Sequence, residues 1–298
     1  YELWAWEQGV QATGYVVNAP GEAAPLRLSA GWSHPVEQAR EATRAAIDRR
    51  VADTRIAGVL AALVVGDQSA IERADWDVFR ATGVAHLMSI SGLHVTLFAW
   101  LAGHVAGALW RRSARLMFMC PAQHAGLAGG VLLAAGYALF SGWGVPAQRT
   151  VCMLAAVGML GGSGLRWPWP AVWLGACAVV VALDPWALTQ AGFWLSSVAV
   201  GVLFATDAGA AAGSRGMKAA VGRMLREQVV LTFALAPLGL LLFQQLSLVG
   251  LLANVLAIPW VTLLVMPLAL LGTLFAPLWD LASWATQVLM LVLRPLAA

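Results

Sequence analysis

Apolar runs of bilayer-spanning length alternate with short basic clusters along most of this chain. A soluble core does not need uninterrupted apolar segments of about 20 residues, whereas the hydrocarbon layer of a bilayer requires segments of that length. The composition agrees, because 60% of the 298 residues are hydrophobic and 11% are charged, whereas soluble domains have about 45–50% and about 25%. The sequence therefore predicts an all-α, polytopic integral membrane protein.

The positions of the apolar runs predict about eight crossings together with short re-entrant or interfacial segments. Residues 56–65 and 248–258 are apolar but too short to cross as straight helices. The predicted crossings are residues 86–110, 125–143, 146–162, 168–183, 187–205, 227–246, 260–275 and 281–296.

Two basic clusters predict the orientation of these crossings. Residues 111–115 contain three arginines, and residues 215–226 contain three arginines and a lysine. Lysine and arginine concentrate in cytoplasmic loops. If residues 111–115 are cytoplasmic, the count of crossings places the second cluster on the same side and the N-terminus outside, in the periplasm.

The N-terminal part of the chain differs from the rest. Residues 1–34 contain short extended pieces and a turn, which predicts a small β remnant of an external domain. Residues 35–66 begin at Pro35 with interleaved acidic and basic side chains, which favours an interfacial amphipathic segment. Residues 67–298 form the predicted membrane domain. Because the chain starts at Tyr1 without a methionine, we expect it to be a fragment of a longer protein.

The most unusual feature is a polar stretch at the start of the first predicted crossing. It contains His86, Ser89, Ser91 and His94, and ionisable groups inside a membrane segment are costly and mark functional sites. We predict a helix break at Ser91-Gly92, with Ser91 capping the helix that follows and free N–H groups available to an anion. The alternative is that serine and glycine allow close helix packing while each histidine has a buried partner.

Further polar residues stand near predicted helix ends. Gln148 and Arg149 follow Pro146, so Arg149 either faces the interior or snorkels to the interface. Asn254 lies in a short apolar segment that ends at Pro259, which favours a lining role. Ser196 is a third candidate for an inward-facing residue.

The remaining histidines and the cysteines predict no chemistry. We expect the three histidines to be structural or interfacial, and the cysteines lack the spacing of a zinc or redox site, so no metal or cofactor is predicted. These residues are His34, His104, His124, Cys120, Cys152 and Cys177.

Six motifs resemble the competence membrane domain of the ComEC DNA-uptake channel family, over about residues 40–296. The hallmark is His86-Leu-Met-Ser-Ile-Ser-Gly-Leu-His94. The others are Gly66-Asp67 with Phe79-Arg80-x-Thr82-Gly83, Pro146-x-Gln148-Arg149, Asp184-Pro185, Gly192-Phe193-x-Leu195-Ser196 and Asn254-x-x-Ala257-Ile258-Pro259.

The resemblance implies a channel that passes single-stranded DNA across the bacterial cytoplasmic membrane during natural transformation. It also implies an external OB-like domain, of which residues 1–34 would be the end, and a C-terminal β-lactamase-like nuclease domain whose metal motif does not occur here. The chain itself is therefore predicted not to be an enzyme. The implied partners are single-stranded DNA, the lipid bilayer, a periplasmic DNA receptor and cytoplasmic DNA-handling proteins, and the chain could form oligomers. The residues implied for the DNA path are His86, Ser89, Ser91, Gly92, His94, Gln148, Arg149, Ser196, Asn254 and Pro259.

Three other functions compete with this interpretation. A rhomboid-like intramembrane serine protease would use Ser91, but Ser89 stands where that motif has glycine. An ion or small-solute transporter with broken helices would use His86 and His94, although no acidic ligand is near them in sequence. A membrane scaffold would leave the intramembrane polar residues without a role. The channel interpretation has its own difficulty, because a path for a polyanion should be basic and the crossings contain few cations.

Overall fold

The computed structural model describes residues 34–162, 167–207, 217–243 and 249–297, and no strand occurs in these ranges. The predicted β remnant at residues 1–34 falls outside them, apart from His34. The helices of the described ranges are α1 Pro35–Arg50, α2 Thr54–Val65, α3 Arg73–Ala81, α4 Gly92–Trp110, α5 Ala114–Met119, α6 Ala122–Phe140, α7 Val145–Gly162, α8 Trp169–Leu183, α9 Ala191–Asp207, α10 Met217–Phe243, α11 Val249–Trp260, α12 Met266–Gly272 and α13 Leu278–Ala297.

Three helical segments of the described residues are long and apolar enough to cross a membrane, so the prediction of about eight crossings is wrong. They are Ala85–Trp110, Ala122–Phe140 and Leu252–Gly272. The shortfall is clearest in α8 and α9, which have 15 and 17 residues. At about 1.5 Å per residue such helices are about 22–26 Å long, shorter than a hydrocarbon layer of about 30 Å.

The third segment joins two stretches that are predicted as separate, residues 248–258 and the crossing at residues 260–275. Residues 248–258 were expected to enter and leave by one face, but α11 continues through a π-helical turn, Val261–Val265, into α12. Pro259 lies inside α11 and has no N–H to donate to the preceding turn. A π-turn accommodates such a defect without ending the helix, so one span replaces a short segment and a crossing.

Helix α2 lies at the centre of the main core. Every residue from 56 to 65 is buried, and α1, α12 and α13 pack around it. The Tyr137 hydroxyl of α6 donates to the Leu63 carbonyl over 3.2 Å. The apolar side chains of α2 therefore contact other helices of the structure. Helix α1 has only Ile47 buried, and the interfacial location of residues 35–66 stays a prediction.

Glycines bring α4 and α6 into close antiparallel contact. A Cβ added to Gly103 would lie 2.8 Å from the Gly126 carbonyl oxygen, and one added to Gly126 would lie 2.8 Å from the Gly103 carbonyl oxygen. One turn further, a Cβ on Gly130 would lie 2.6 Å from the Ala99 carbonyl oxygen. Only residues without a side chain allow two backbones to approach this closely.

Ion pairs connect the first helices to the last one. Arg50 at the end of α1 donates from Nε to Asp280 of α13 over 3.0 Å. The buried carboxylate of Asp75 in α3 accepts two hydrogen bonds from Arg55, and Arg294 of α13 lies 3.9 Å from it.

Candidate site where the sequence motifs meet

The polar stretch folds into a helix start, as predicted. Helix α4 begins at Gly92, and the Ser91 hydroxyl accepts a hydrogen bond from the His94 amide over 3.4 Å. In return, Nδ1 of His94 accepts one from the Ser91 amide, also over 3.4 Å. This is a capping box in which histidine replaces the usual glutamate or glutamine. The predicted break at Ser91-Gly92 and the capping role of Ser91 are both confirmed.

The second ring nitrogen of His94, Nε2, is not used by the cap. Because Nδ1 accepts a hydrogen bond, the hydrogen-bond network assigns the ring proton to Nε2. The side chain is 1% exposed, and Nε2 has no hydrogen-bond partner among the described residues. The alternative prediction was that each histidine has a buried partner. For His94 this is true of Nδ1 but not of Nε2. An unsatisfied buried donor costs about 1–3 kcal/mol.

His86 and Ser89 lie in the turn before the capping box. Nδ1 of His86 lies 3.1 Å from the Gly83 carbonyl oxygen, and the Ser89 hydroxyl donates to the His86 carbonyl over 3.0 Å. His86 is exposed, unlike His94. Both residues thus stabilise the turn that leads into α4.

Helix α7 starts beside α4 and presents Arg149 to the interior. Gln148 donates from Nε2 to the Trp143 carbonyl over 2.7 Å and so fixes the turn before the helix. Arg149 is 6% exposed, which excludes the snorkelling alternative. Its guanidinium lies against Gly192 of α9, where an added Cβ would be 3.0 Å from Nη2, and the Asp184 carboxylate attracts it electrostatically.

Glycines in the motifs let these helix ends approach each other. A Cβ on Gly92 would lie 2.7 Å from the Thr150 hydroxyl oxygen, so the first turn of α4 contacts the second turn of α7. Gly66 ends α2 with a φ of 74° and lies against the Ser141 carbonyl. The same position is 3.6 Å from Cδ1 of Ile90, just before the cap. Any side chain at Gly66 would be strained as well as obstructed.

These contacts gather four of the six motifs at one place, which we call the motif end. It is formed by Gly66, Ile90, Ser91, Gly92, Ser141, Arg149, Thr150 and Gly192. Helices α4, α7 and α9 begin here, whereas α6 and α8 end nearby. Helix N-termini carry a partial positive charge and unpaired N–H groups. The motif end is therefore suited to an anion on physical grounds.

The remaining candidates are Ser196, Asn254 and Pro259. The Ser196 hydroxyl donates to the Phe193 carbonyl of its own helix over 3.2 Å. Oδ1 of Asn254 is buried without a hydrogen-bond partner among the described residues, and Pro259 precedes the π-turn. The lining role predicted for Asn254 stays a prediction.

Sequence reasoning missed Thr150 and Ser141, which supply the contacts that join the motifs. Thr150 directly follows Arg149 in sequence, and that adjacency was an available signal. The role of Ser141 depends on the turn at Gly142, whose positive φ is seen only in the structure. In the described ranges, no three His, Cys, Asp or Glu side chains are placed to hold a metal ion.

Comparison with known proteins identifies the family. Residues 63–298 match the family model described as Competence protein. The chain is 37% identical to Competence protein ComA of Neisseria gonorrhoeae over 295 residues, which is 96% of this chain and 40% of that protein. It is 33% identical to Uncharacterized protein YcaI of Escherichia coli, covering 71% of this chain and 28% of the relative.

A third relative, Recombination protein 2 of Haemophilus influenzae, is 28% identical over 95% of this chain and 35% of its own length. The chain thus spans between 28% and 40% of the length of these three relatives. No solved structure matches it significantly. The family model covers well over half of the chain, so the chain belongs to the competence protein family.

Proposed function

We propose that this chain is the membrane domain of a DNA-uptake channel that passes single-stranded DNA across the bacterial cytoplasmic membrane during natural transformation. The observation that carries the proposal is the motif end, where the motifs of the competence family bring a buried arginine and three helix N-termini together. In this proposal the channel itself performs no chemistry on the DNA.

The motif end answers the electrostatic difficulty of a path with few cations. Each helix N-terminus contributes the equivalent of about half a positive charge, and Arg149 adds a positive charge that the Asp184 carboxylate partly offsets. Phosphate oxygens are well matched to backbone N–H groups at such positions. A path of this kind holds the sugar–phosphate backbone without reading bases, as transport of any sequence requires.

The residues predicted from the sequence for the DNA path fall into two groups. Arg149, Ser91, Gly92 and His94 form or adjoin the motif end, while His86, Ser89 and Gln148 stabilise the turns that lead into it. We propose these seven as the entrance of the path. Ser196, Asn254 and Pro259 remain predicted members of its wall.

Orientation follows from the basic cluster at residues 111–115, which lies at the opposite end of α4 from Ser91. If that cluster is cytoplasmic, the motif end and the N-terminus face the periplasm, where DNA arrives. A periplasmic DNA receptor would then deliver DNA to the motif end, and cytoplasmic DNA-handling proteins would receive the strand at the other side.

The decisive test replaces Arg149 in the full-length protein of a transformable host. We expect Arg149→Ala to lower transformation frequency roughly 10- to 100-fold, the equivalent of one lost charge-assisted hydrogen bond. Arg149→Lys should restore part of it, and the exposed Arg73→Ala serves as a matched control. Normal membrane levels with normal transformation in both Arg149→Ala and His94→Ala would refute the proposal.

Reconstitution distinguishes this channel from the competing functions. Proteoliposomes should take up labelled single-stranded DNA, and a transporter would instead move small ions. Labelling of Ser91 by a fluorophosphonate probe would favour the protease. We expect no labelling, because the Ser91 hydroxyl caps α4 and Nδ1 of His94 bonds the Ser91 amide rather than its hydroxyl.

A further inference from the structure

A groove with a volume of about 480 Å³ runs along α4 and α6 and is closed on one side by α7. Small-molecule sites have volumes of about 300–1,000 Å³, so this groove is large enough for a ligand. Its wall extends along α4 from Thr96 to Arg111. It is separate from the motif end, because it starts beyond the first turn of α4.

The groove has the length and the lining of a site for an acyl chain. The 15 residue steps from Thr96 to Arg111 correspond to about 22 Å of helix, and one leaflet of a bilayer has about 15 Å of hydrocarbon. Trp100, Leu127 and Val157 line it with exposed apolar surface.

One end of the groove is basic. Arg111 lines that end, and its Nη1 is 3.6 Å from the position of a Cβ on Gly107, so the guanidinium turns back toward the groove. Arg112 and Arg115 follow and are exposed. Within the described part of the chain, no carboxylate pairs with any of these three arginines.

The turn that carries these arginines is held in a fixed position. Nε1 of Trp110 donates to the Leu116 and Cys120 carbonyls, each over 3.0 Å. The apolar tip of α5 extends outward, with Phe118 93% exposed. Basic residues beside an apolar tip are typical of a segment at the boundary between headgroups and acyl chains.

We propose that this groove binds one anionic glycerophospholipid, with an acyl chain lying along the outer seam of α4 and α6 beside α7 and the phosphate at Arg111, assisted by Arg112 and Arg115. Basic pockets between membrane helices on the cytoplasmic side are suited to anionic headgroups. A second copy of the chain is a poorer occupant, because it would bring its own arginines to a site that lacks negative charge.

The test measures lipids bound to the full-length protein, purified in detergent and mixed with equal amounts of phosphatidylglycerol and phosphatidylcholine. Native mass spectrometry should show preferential retention of phosphatidylglycerol. Arg111→Gln should weaken that retention about fivefold, the effect of one arginine near an anionic headgroup. Arg73→Gln removes the same charge from an exposed position of α3 and should leave retention unchanged.

A second pair of variants tests the acyl-chain part of the groove independently of charge. Val157→Trp fills the groove and should reduce retention of both lipids, whereas Val105→Trp, exposed on α4 but outside the groove, should not. Equal retention of both lipids by the unmodified protein would overturn the proposal. So would unchanged phosphatidylglycerol binding in Arg111→Gln, or cross-linking of Val157→Cys to a second copy in place of lipid.

Discussion

At the residue scale, His94 performs a structural task that leaves part of its side chain unsatisfied. Its Nδ1 completes the cap of α4, while Nε2 is buried without a partner among the described residues. A glutamine could complete the same capping box. A histidine that leaves a buried donor unsatisfied is therefore not required by the cap alone, and this supports its proposed place beside the DNA path.

The capping interaction itself can be tested at Ser91. Ser91→Ala removes the acceptor of the His94 amide and should lower the free energy of unfolding by about 1 kcal/mol. Ser91→Thr retains a hydroxyl acceptor and should lose much less. Chemical unfolding of the purified protein measures both variants, and equal stability of Ser91→Ala and the unmodified protein would contradict the capping role.

At the scale of elements, the contact between α4 and α6 depends on which glycines face the partner helix. Gly126 lies against the Gly103 backbone, whereas a Cβ on Gly136, ten residues along the same helix, would meet no atom within 4 Å. Substitutions at Gly136 therefore report on helix propensity alone, whereas substitutions at Gly126 also report on packing against α4.

Gly126→Ala and Gly136→Ala should have opposite effects on stability. Gly126→Ala places a Cβ against a carbonyl that cannot move without separating the helices, and should cost about 1–3 kcal/mol. Gly136→Ala should be neutral or stabilise by about 0.5–1 kcal/mol, because alanine is the better helix former. Thermal unfolding in detergent measures the difference, and similar melting temperatures for the two variants would count against this packing.

At the scale of the whole molecule, ion pairs at both ends of α13 join helices more than 200 residues apart in the chain. Asp280 and its partner Arg50 are both about half exposed, at 49% and 47% of their side-chain surface. Asp75 is 2% exposed and has Arg55 and Arg294 beside it. Burial should therefore make Asp75 the more important of the two carboxylates.

Alanine variants of the two aspartates should differ in stability. Asp280→Ala should cost less than about 1 kcal/mol, as exposed ion pairs do. Asp75→Ala leaves Arg55 without its buried acceptor and should cost about 1–3 kcal/mol. Unfolding free energies of the two variants provide the measurement, with Asp77→Ala, an exposed site on α3, as the control. Equal losses in Asp75→Ala and Asp280→Ala would contradict this assignment.

The sequence alone determined the class of the protein, its family motifs and the break at Ser91-Gly92, because these follow from composition and local backbone chemistry. The tertiary structure decided that α2 is buried, that Pro259 lies within a continuous span, that Arg149 faces the interior and that four motifs meet at one end of the molecule. The physical reason lies in hydropathy. An apolar side chain contributes the same hydropathy whether it faces lipid or another helix. Only contacts between distant segments distinguish the two environments.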